Sequence, residues 1–307
     1  MDLNVTLAGK RELVLKNPVI AASGTFGSGL EYRQFGDLAT LGGIAVKGIS
    51  LQPRAGNKEP RIAETPAGML NAIGLQNDGI DAFLRRTLPA LPWRHTAIIA
   101  NIYAASIEEF GELAARFNEV EEIAALEVNV SCPNVAAGGA LFGSSPDLCA
   151  AVTCAVVRNA PSKHVIVKLS PNVTDIAAIA KSAEDAGADS LACINTLAGM
   201  AINARTRRPM LGNIIGGLSG PAIKPVALRC VWQASRAVKI PVIGIGGIVS
   251  AWDIIEFLLA GASAVEVGTA SFMRPDACFS LVKALPDALA ACGSDSVAAL
   301  TGALILD

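Results

Sequence analysis

A chain of 307 residues, 52% hydrophobic and 17% charged, can bury one large core, and α/β barrels commonly use this length as one domain, so residues 1–307 are expected to form a single domain. A net charge of −2 without clustered Lys/Arg argues against nucleic-acid binding. The longest apolar stretch, Ile240 to Trp252, is glycine-broken and falls short of the roughly 18–20 residues a membrane span needs. The N-terminus, MDLNVTLAGKRELVLKN, carries charges where a signal peptide has its apolar block. Seven cysteines, an odd number without a CxxC pair, argue against a disulfide framework and against a metal or iron–sulfur site held by this chain alone. A cytoplasmic location is expected.

In chain order the predicted strands are Pro18–Ser23, Gly43–Gly48, Ala97–Asn101, Leu126–Ser131, His164–Ser170, Ser190–Asn195, Pro241–Gly246 and Ala264–Gly268. They read as continuous Val/Ile/Ala runs, as parallel strands buried on both faces do. Helical spacing and caps predict helices over Ser106–Glu121, Pro146–Asn159, Asp175–Ala186, Pro221–Val238 and Ala251–Ala260. Strands alternating with helices predict the α/β class and a closed (β/α)₈ TIM barrel, with a doubly wound open sheet as the alternative. Two connections, residues 49–96 and 196–239, are long enough to be functional or to carry elements of their own.

Active sites of such barrels lie at the C-terminal strand ends. Those ends read Ser23, Lys47, Asn101, Asn129 with Ser131-Cys132, Lys168, Asn195-Thr196, Gly246-Gly247 and Gly268-Thr269. The glycines in IGIGGI (243–248) and VEVGTA (265–270) let backbone N–H groups approach an anion, and barrels often bind phosphate after the last two strands. Lys47 and Lys168 each end an apolar strand, where a partly desolvated ammonium needs an anion; the plainer reading is snorkelling to solvent. In NAIGLQN (71–77), Asn71 suits a flat heterocycle with imide or carboxylate groups, although Asn and Gly are also ordinary turn residues. Cys149, Cys154, Cys193, Cys230, Cys278 and Cys292 read as buried, inert thiols. Cys132 differs, because it lies beyond a strand end on a loop over the mouth, where a thiol serves as base or nucleophile. Chemistry alone leaves those two roles open.

The set NVSCPNV (129–135), SGTFG (23–27), NAIGLQN, VKLSPN (167–172), GGLSGPAIKP (216–225) and IGIGGI closely resembles the dihydroorotate dehydrogenase family, from about Leu13 to Phe272. The resemblance implies an FMN-binding (β/α)₈ barrel that oxidises dihydroorotate to orotate in pyrimidine biosynthesis. Cysteine at position 132 implies the soluble class; the membrane-bound class uses serine and an N-terminal extension not seen in this sequence. NVAAGGALFG (134–143), SPNVTDI (170–176) and SGPAIKPVALR (219–229) resemble the NAD-linked branch, type 1B.

By that resemblance, Cys132 is the base that takes a proton from C5 of dihydroorotate while hydride leaves C6 for the flavin. Lys47, Asn71, Ala72, Ile73, Gly74, Leu75, Asn129, Asn195 and Thr196 are implied to bind the substrate. Ser23, Lys47, Gly48, Asn101, Asn129, Lys168, Ile194, Gly220, Gly246, Gly247, Gly268 and Thr269 are implied to hold FMN. A lysine such as Lys168 would stabilise the charge that reduction places near flavin N1 and O2. The type 1B resemblance also implies an electron-transfer subunit carrying FAD and a [2Fe–2S] cluster, assembled as a heterotetramer of two catalytic and two partner subunits. No Rossmann GxGxxG follows a strand, so no NAD site is evident in this chain. The alternatives are a fumarate-linked type 1A enzyme, a related dihydropyrimidine dehydrogenase, a tRNA dihydrouridine synthase, or a non-catalytic phosphate-binding barrel.

Overall fold

The computed structural model describes residues 1–131 and 142–306. Eight parallel strands close into a barrel: β1 (Val19–Ala21), β2 (Gly43–Ala45), β3 (Ala97–Ile102), β4 (Ala125–Asn129), β5 (His164–Leu169), β6 (Ser190–Cys193), β7 (Val242–Ile245) and β8 (Ala262–Val267). Each pairs with its neighbour in sequence, and β8 pairs back to β1 with Val265, Glu266 and Val267 opposite Val19, Ile20 and Ala21. Closure removes the open-sheet alternative. Every residue of β5 is buried, which is why the strands read as unbroken apolar runs instead of alternating ones.

Five helices stand where capping and periodicity place them: α1 (Ile107–Asn118), α2 (Pro146–Asn159), α3 (Ile176–Asp185), α4 (Lys224–Ala237) and α5 (Ala251–Leu259). Ser106 caps α1 by accepting from Glu109 N, and Asp175 caps α3 by accepting from the Ala177 and Ala178 amides. A further helix, α6 (Ala277–Ala291), which the sequence reading left unassigned, follows the barrel despite Pro286 within it. Gly244 in β7 has a packing reason: a Cβ there would lie 2.4 Å from Phe257 Cδ1, so the bare strand lets α5 sit close. Among the described residues no helix is long and apolar enough to cross a membrane.

The N-terminal hairpin, Val5–Leu7 with Leu13–Leu15, lies at the end of the barrel opposite the mouth. Its Arg11 pairs with buried Asp189 at 2.6 Å, just ahead of β6, and its Arg11 carbonyl meets His164 Nδ1 at 2.5 Å, at the start of β5.

The two long connections each carry strands, and those strands join. Ile62–Thr65 and Gly68–Asn71 from the first pair with Leu197–Met200 and Ile215–Ser219 from the second, forming one four-stranded antiparallel sheet over the C-terminal ends. Ala63, Leu70, Ala72 and Leu211 form a small apolar cluster of their own there.

Candidate active site

Strand ends fall two or three residues earlier than the sequence suggests at β1, β2, β4 and β6, so Lys47, Ser131 and Asn195 stand on loops leaving the barrel. Those loops stay ordered by backbone pairing: Ile49 N donates to Asn101 O at 2.8 Å and Asn195 N to Leu169 O at 2.8 Å. Together with the overlying sheet they enclose a cavity of about 660 Å³, within the range typical of small-molecule and cofactor sites. Every described residue named above as substrate- or flavin-binding lines this cavity. Cys132 lies outside the described residues. The chain up to it does line the cavity, through Asn129 and Ser131.

The floor is polar and charged, deep inside the barrel. Lys168 from β5 reaches inward, with Nζ 3.1 Å from Glu127 Oε1 on β4 and 2.9 Å from Glu266 Oε2 on β8. Asn101 on β3 donates from Nδ2 to Glu127 Oε1. The expectation that Lys168 faces the mouth awaiting an anion is therefore incomplete, and snorkelling is excluded: its side chain is 7% exposed and holds two carboxyl partners already. Burial works against its charge, but Glu127 and Glu266 outweigh that and raise its pKa above the ordinary lysine value. Burial also works against the Glu127 carboxylate; Lys168 and the hydrogen bonds from its neighbours hold its pKa below the usual range. Glu266, buried and beside the Glu127 charge, is pushed well above it. Neither acid was singled out from sequence. Their signal is an acid one or two residues before the strand end, in ALEVN and AVEVG, where burial on both faces otherwise demands apolar residues.

One wall carries amides. Asn195 Nδ2 donates to Asn129 Oδ1 at 3.2 Å, and Thr196 N donates to Asn195 Oδ1 at 2.8 Å. Asn172, not singled out from sequence, donates from Nδ2 to Thr196 O at 3.0 Å and accepts from Ala198 N at 2.9 Å, fixing this loop. Asn71 closes the group from the overlying sheet, donating to Gly217 O at 3.3 Å. The turn from Ala72 to Leu75 is held by Asn57, whose side chain donates to Ala72 O at 3.1 Å. Such a wall offers paired donors and acceptors to a flat ring with carbonyl and carboxylate groups.

Another wall is built from bare backbone. Gly246 and Gly247 have φ of 132° and 76°, and a Cβ on Gly247 would lie 2.8 Å from Lys224 Cβ and 2.9 Å from Gly220 O. Only glycine suits that conformation and approach. Thr269 Oγ1 donates to Ser219 Oγ at 2.8 Å beside them. The first turn of α5 is closed on itself: Ser250 and Asp253 form a capping box, and Lys224 pairs with Asp253 at 2.6 Å. What this wall offers an anion is the backbone of the glycine segments and the Ser219 and Thr269 hydroxyls.

The remaining thiols divide. Cys149, Cys193, Cys230 and Cys278 are buried, and burial raises their pKa values, to about 11 for Cys149 and Cys278. Cys154 and Cys292 are exposed, contrary to the expectation of burial, because each lies on the solvent side or beyond the end of its helix.

Comparison with known proteins agrees with this geometry. The family model for dihydroorotate dehydrogenase matches residues 3–289. The chain is 58% identical over 304 residues to the protein of Solidesulfovibrio magneticus named dihydroorotate dehydrogenase B (NAD(+)), catalytic subunit, covering 99% of this chain and 98% of that one. A protein of the same name from Maridesulfovibrio salexigens is 56% identical, covering 100% and 99%. In fold it is similar to the crystal structure of the Eimeria tenella enzyme in complex with ferulenol, with a TM-score of 0.81 at 23% identity over 98% of this chain and 88% of that one. The barrel, its mouth and these matches lead to one conclusion: the chain belongs to the dihydroorotate dehydrogenase family.

Proposed function

We propose that this chain oxidises dihydroorotate to orotate with FMN bound in the cavity, as the catalytic subunit of an NAD⁺-linked enzyme. The observation that carries the reading is the arrangement inside one cavity of an amide wall, a glycine wall and a buried lysine floor, in a member of this family.

The residues present fit FMN. Gly246, Gly247 and Gly220 line the cavity with bare backbone, packed too closely against Ala227, Lys224 and Gly68 to carry a Cβ, and such a surface suits a phosphate, with the Ser219 and Thr269 hydroxyls beside it. Lys168 and Asn101 suit the polar edge of the ring, and Ser23, Lys47, Gly48, Asn129, Ile194 and Gly268 supply the remaining contacts. When bound, FMN supplies the two-electron acceptor. Lys168, held charged by its carboxyl partners, favours negative charge on the nearby polar edge. Asn71, Asn129, Asn195 and Thr196 orient the substrate ring and carboxylate, with Lys47 and the segment from Ala72 to Leu75 completing its surroundings. Cys132 takes the proton from C5. The overlying sheet excludes water during transfer.

Electrons leave through a partner subunit carrying FAD and a [2Fe–2S] cluster, in a heterotetramer of two subunits of each kind, in the cytoplasm. Relatives named as catalytic subunits support a partner of some kind. The test is anaerobic titration of the purified yellow protein with dihydroorotate. Flavin bleaching is expected in the wild type and a loss of about 10²–10⁴-fold in its rate with retained flavin in Cys132→Ala, the usual worth of a general base. Failure of dihydroorotate to bleach the flavin would overturn the substrate, and near-normal rates in the alanine variant would remove the thiol's role.

A further inference from the structure

We propose that Glu127 and Glu266 are positioning residues that share one proton beneath Lys168, so that the buried cluster is electrically neutral while its ammonium points to the cavity. The inference rests on the reading that flavin lies over Lys168, and assigns a shared proton to two acids which that reading uses only as partners of the ammonium.

Three ionisable groups meet inside the barrel from three strands, all with side chains nearly or fully buried. Lys168 bonds to Glu127 Oε1 and Glu266 Oε2, and Asn101 adds a second donor to Glu127 Oε1. The remaining oxygens, Glu127 Oε2 and Glu266 Oε1, are buried and meet no donor among the described residues. The two carboxyls lie within hydrogen-bonding reach of each other. Two ionised carboxylates so placed would repel, with one ammonium to serve both. One proton between them gives the carboxyls an O–H···O⁻ bond to each other and leaves +1 and −1 in the cluster. Among the described residues, the charged groups that act on Glu266 are Glu127 and Lys168. The device fixes Lys168 from two sides without cancelling its field at the cavity by a second full negative charge.

The count of charges gives a test with a distinctive pattern. In Glu127→Gln the proton is no longer shared and Glu266 ionises; in Glu266→Gln, Glu127 carries the charge. Each single variant therefore keeps a neutral cluster, and the double variant gains a net positive charge. Infrared spectra of the protein carrying ¹³C-labelled glutamate should show an isotope-shifted neutral carboxylic acid band at neutral pH in the wild type, lost in both single variants. The flavin midpoint potential should be little changed in each single variant and shift clearly positive in the double variant. Absence of the band in the wild type, or its persistence in both single variants, overturns the shared proton. Positive shifts in each single variant show that both acids are ionised in the wild type and likewise overturn it. A double variant with unshifted potential, the infrared pattern being as expected, overturns instead the placement of flavin over Lys168.

Discussion

Asn71 and Gly217 stand opposite each other in the sheet over the barrel mouth, and the Asn71 side chain donates to the Gly217 carbonyl at 3.3 Å. One residue comes from the connection after β2 and the other from that after β6. Gly217 also seats Thr196, because a Cβ at position 217 would lie 2.1 Å from Thr196 Oγ1. A single glycine thus holds two side chains of the amide wall in place.

Gly217→Ala should therefore displace Thr196 and loosen Asn71 without disturbing the barrel. Displacement of about 1 Å in a positioning group can cost up to roughly 10²-fold in rate. The expected result is a drop of about 10–100-fold in kcat/KM for dihydroorotate, with flavin content and far-ultraviolet circular dichroism unchanged. Wild-type kcat/KM would show that the wall does not position the substrate.

Asp253 links the capping box of α5 to Lys224, accepting from the Val249 and Ser250 amides at 2.9 and 2.8 Å. Burial works against its charge, but Lys224 and these donors more than offset it, leaving its pKa below the ordinary value of 3.8. A carboxylate depressed in the folded state stabilises above its unfolded pKa and ceases to as pH falls through the folded one. Asp253→Asn should cost about 1–2 kcal/mol at pH 7, the scale of a lost cap and helix-end charge. The gap between the urea melts of the two proteins should begin to narrow near about pH 4, the range of an ordinary aspartate, and close only as pH falls on through the lower folded-state value. A gap that does not narrow between about pH 5 and about pH 2 would place its origin in packing.

The eight strands and the mouth they share were legible because burial on both faces leaves a strong signal: apolar runs ending in Lys47, Asn101, Asn129, Lys168 or a glycine pair. Helix starts were legible where Ser106 and Asp175 cap them. The overlying sheet was not, since Met69 with Ser219 and Asn71 with Gly217 pair across about 150 residues of chain and no local period encodes that. Glu127 and Glu266 were passed over for a related reason. Each is one acid in an apolar strand, and its meaning appears only when barrel closure brings β8 to face β4 and β5.

Lys168→Met tests the same floor from the other side. It leaves Glu127 and Glu266 buried without their cation, and breaking a buried pair typically costs about 3–5 kcal/mol. Without the ammonium, Glu127 loses the partner that holds its folded-state pKa down, so that pKa rises, and that of Glu266, already above its unfolded value, rises further. Such groups favour the folded state below the unfolded pKa and lose that advantage as pH rises. The variant's deficit in denaturant melts should thus be larger at pH 8 than at pH 5. A deficit independent of pH would mean that the acids do not depend on Lys168 for their charge.

At the opposite end of the barrel, His164 Nδ1 faces the Arg11 carbonyl at 2.5 Å and Nε2 faces Ser190 Oγ at 2.8 Å. A carbonyl can only accept, so Nδ1 carries the proton and Nε2 accepts from the serine in the neutral ring. Burial lowers the His164 pKa below 6.5, opposed by the Arg11 carbonyl and by Asp189, while the Arg11 charge adds to the lowering. Because the unfolded chain protonates its histidine first, stability contributed by the neutral ring is present above about pH 6.5 and falls as pH drops below it. His164→Gln preserves a donor and an acceptor but cannot titrate. The wild type should lose stability between about pH 7 and 5.5, before most carboxylates protonate, and the glutamine variant should show a visibly flatter profile over that interval. Identical slopes in urea melts would mean that the imidazole titrates alike in the folded and unfolded chains.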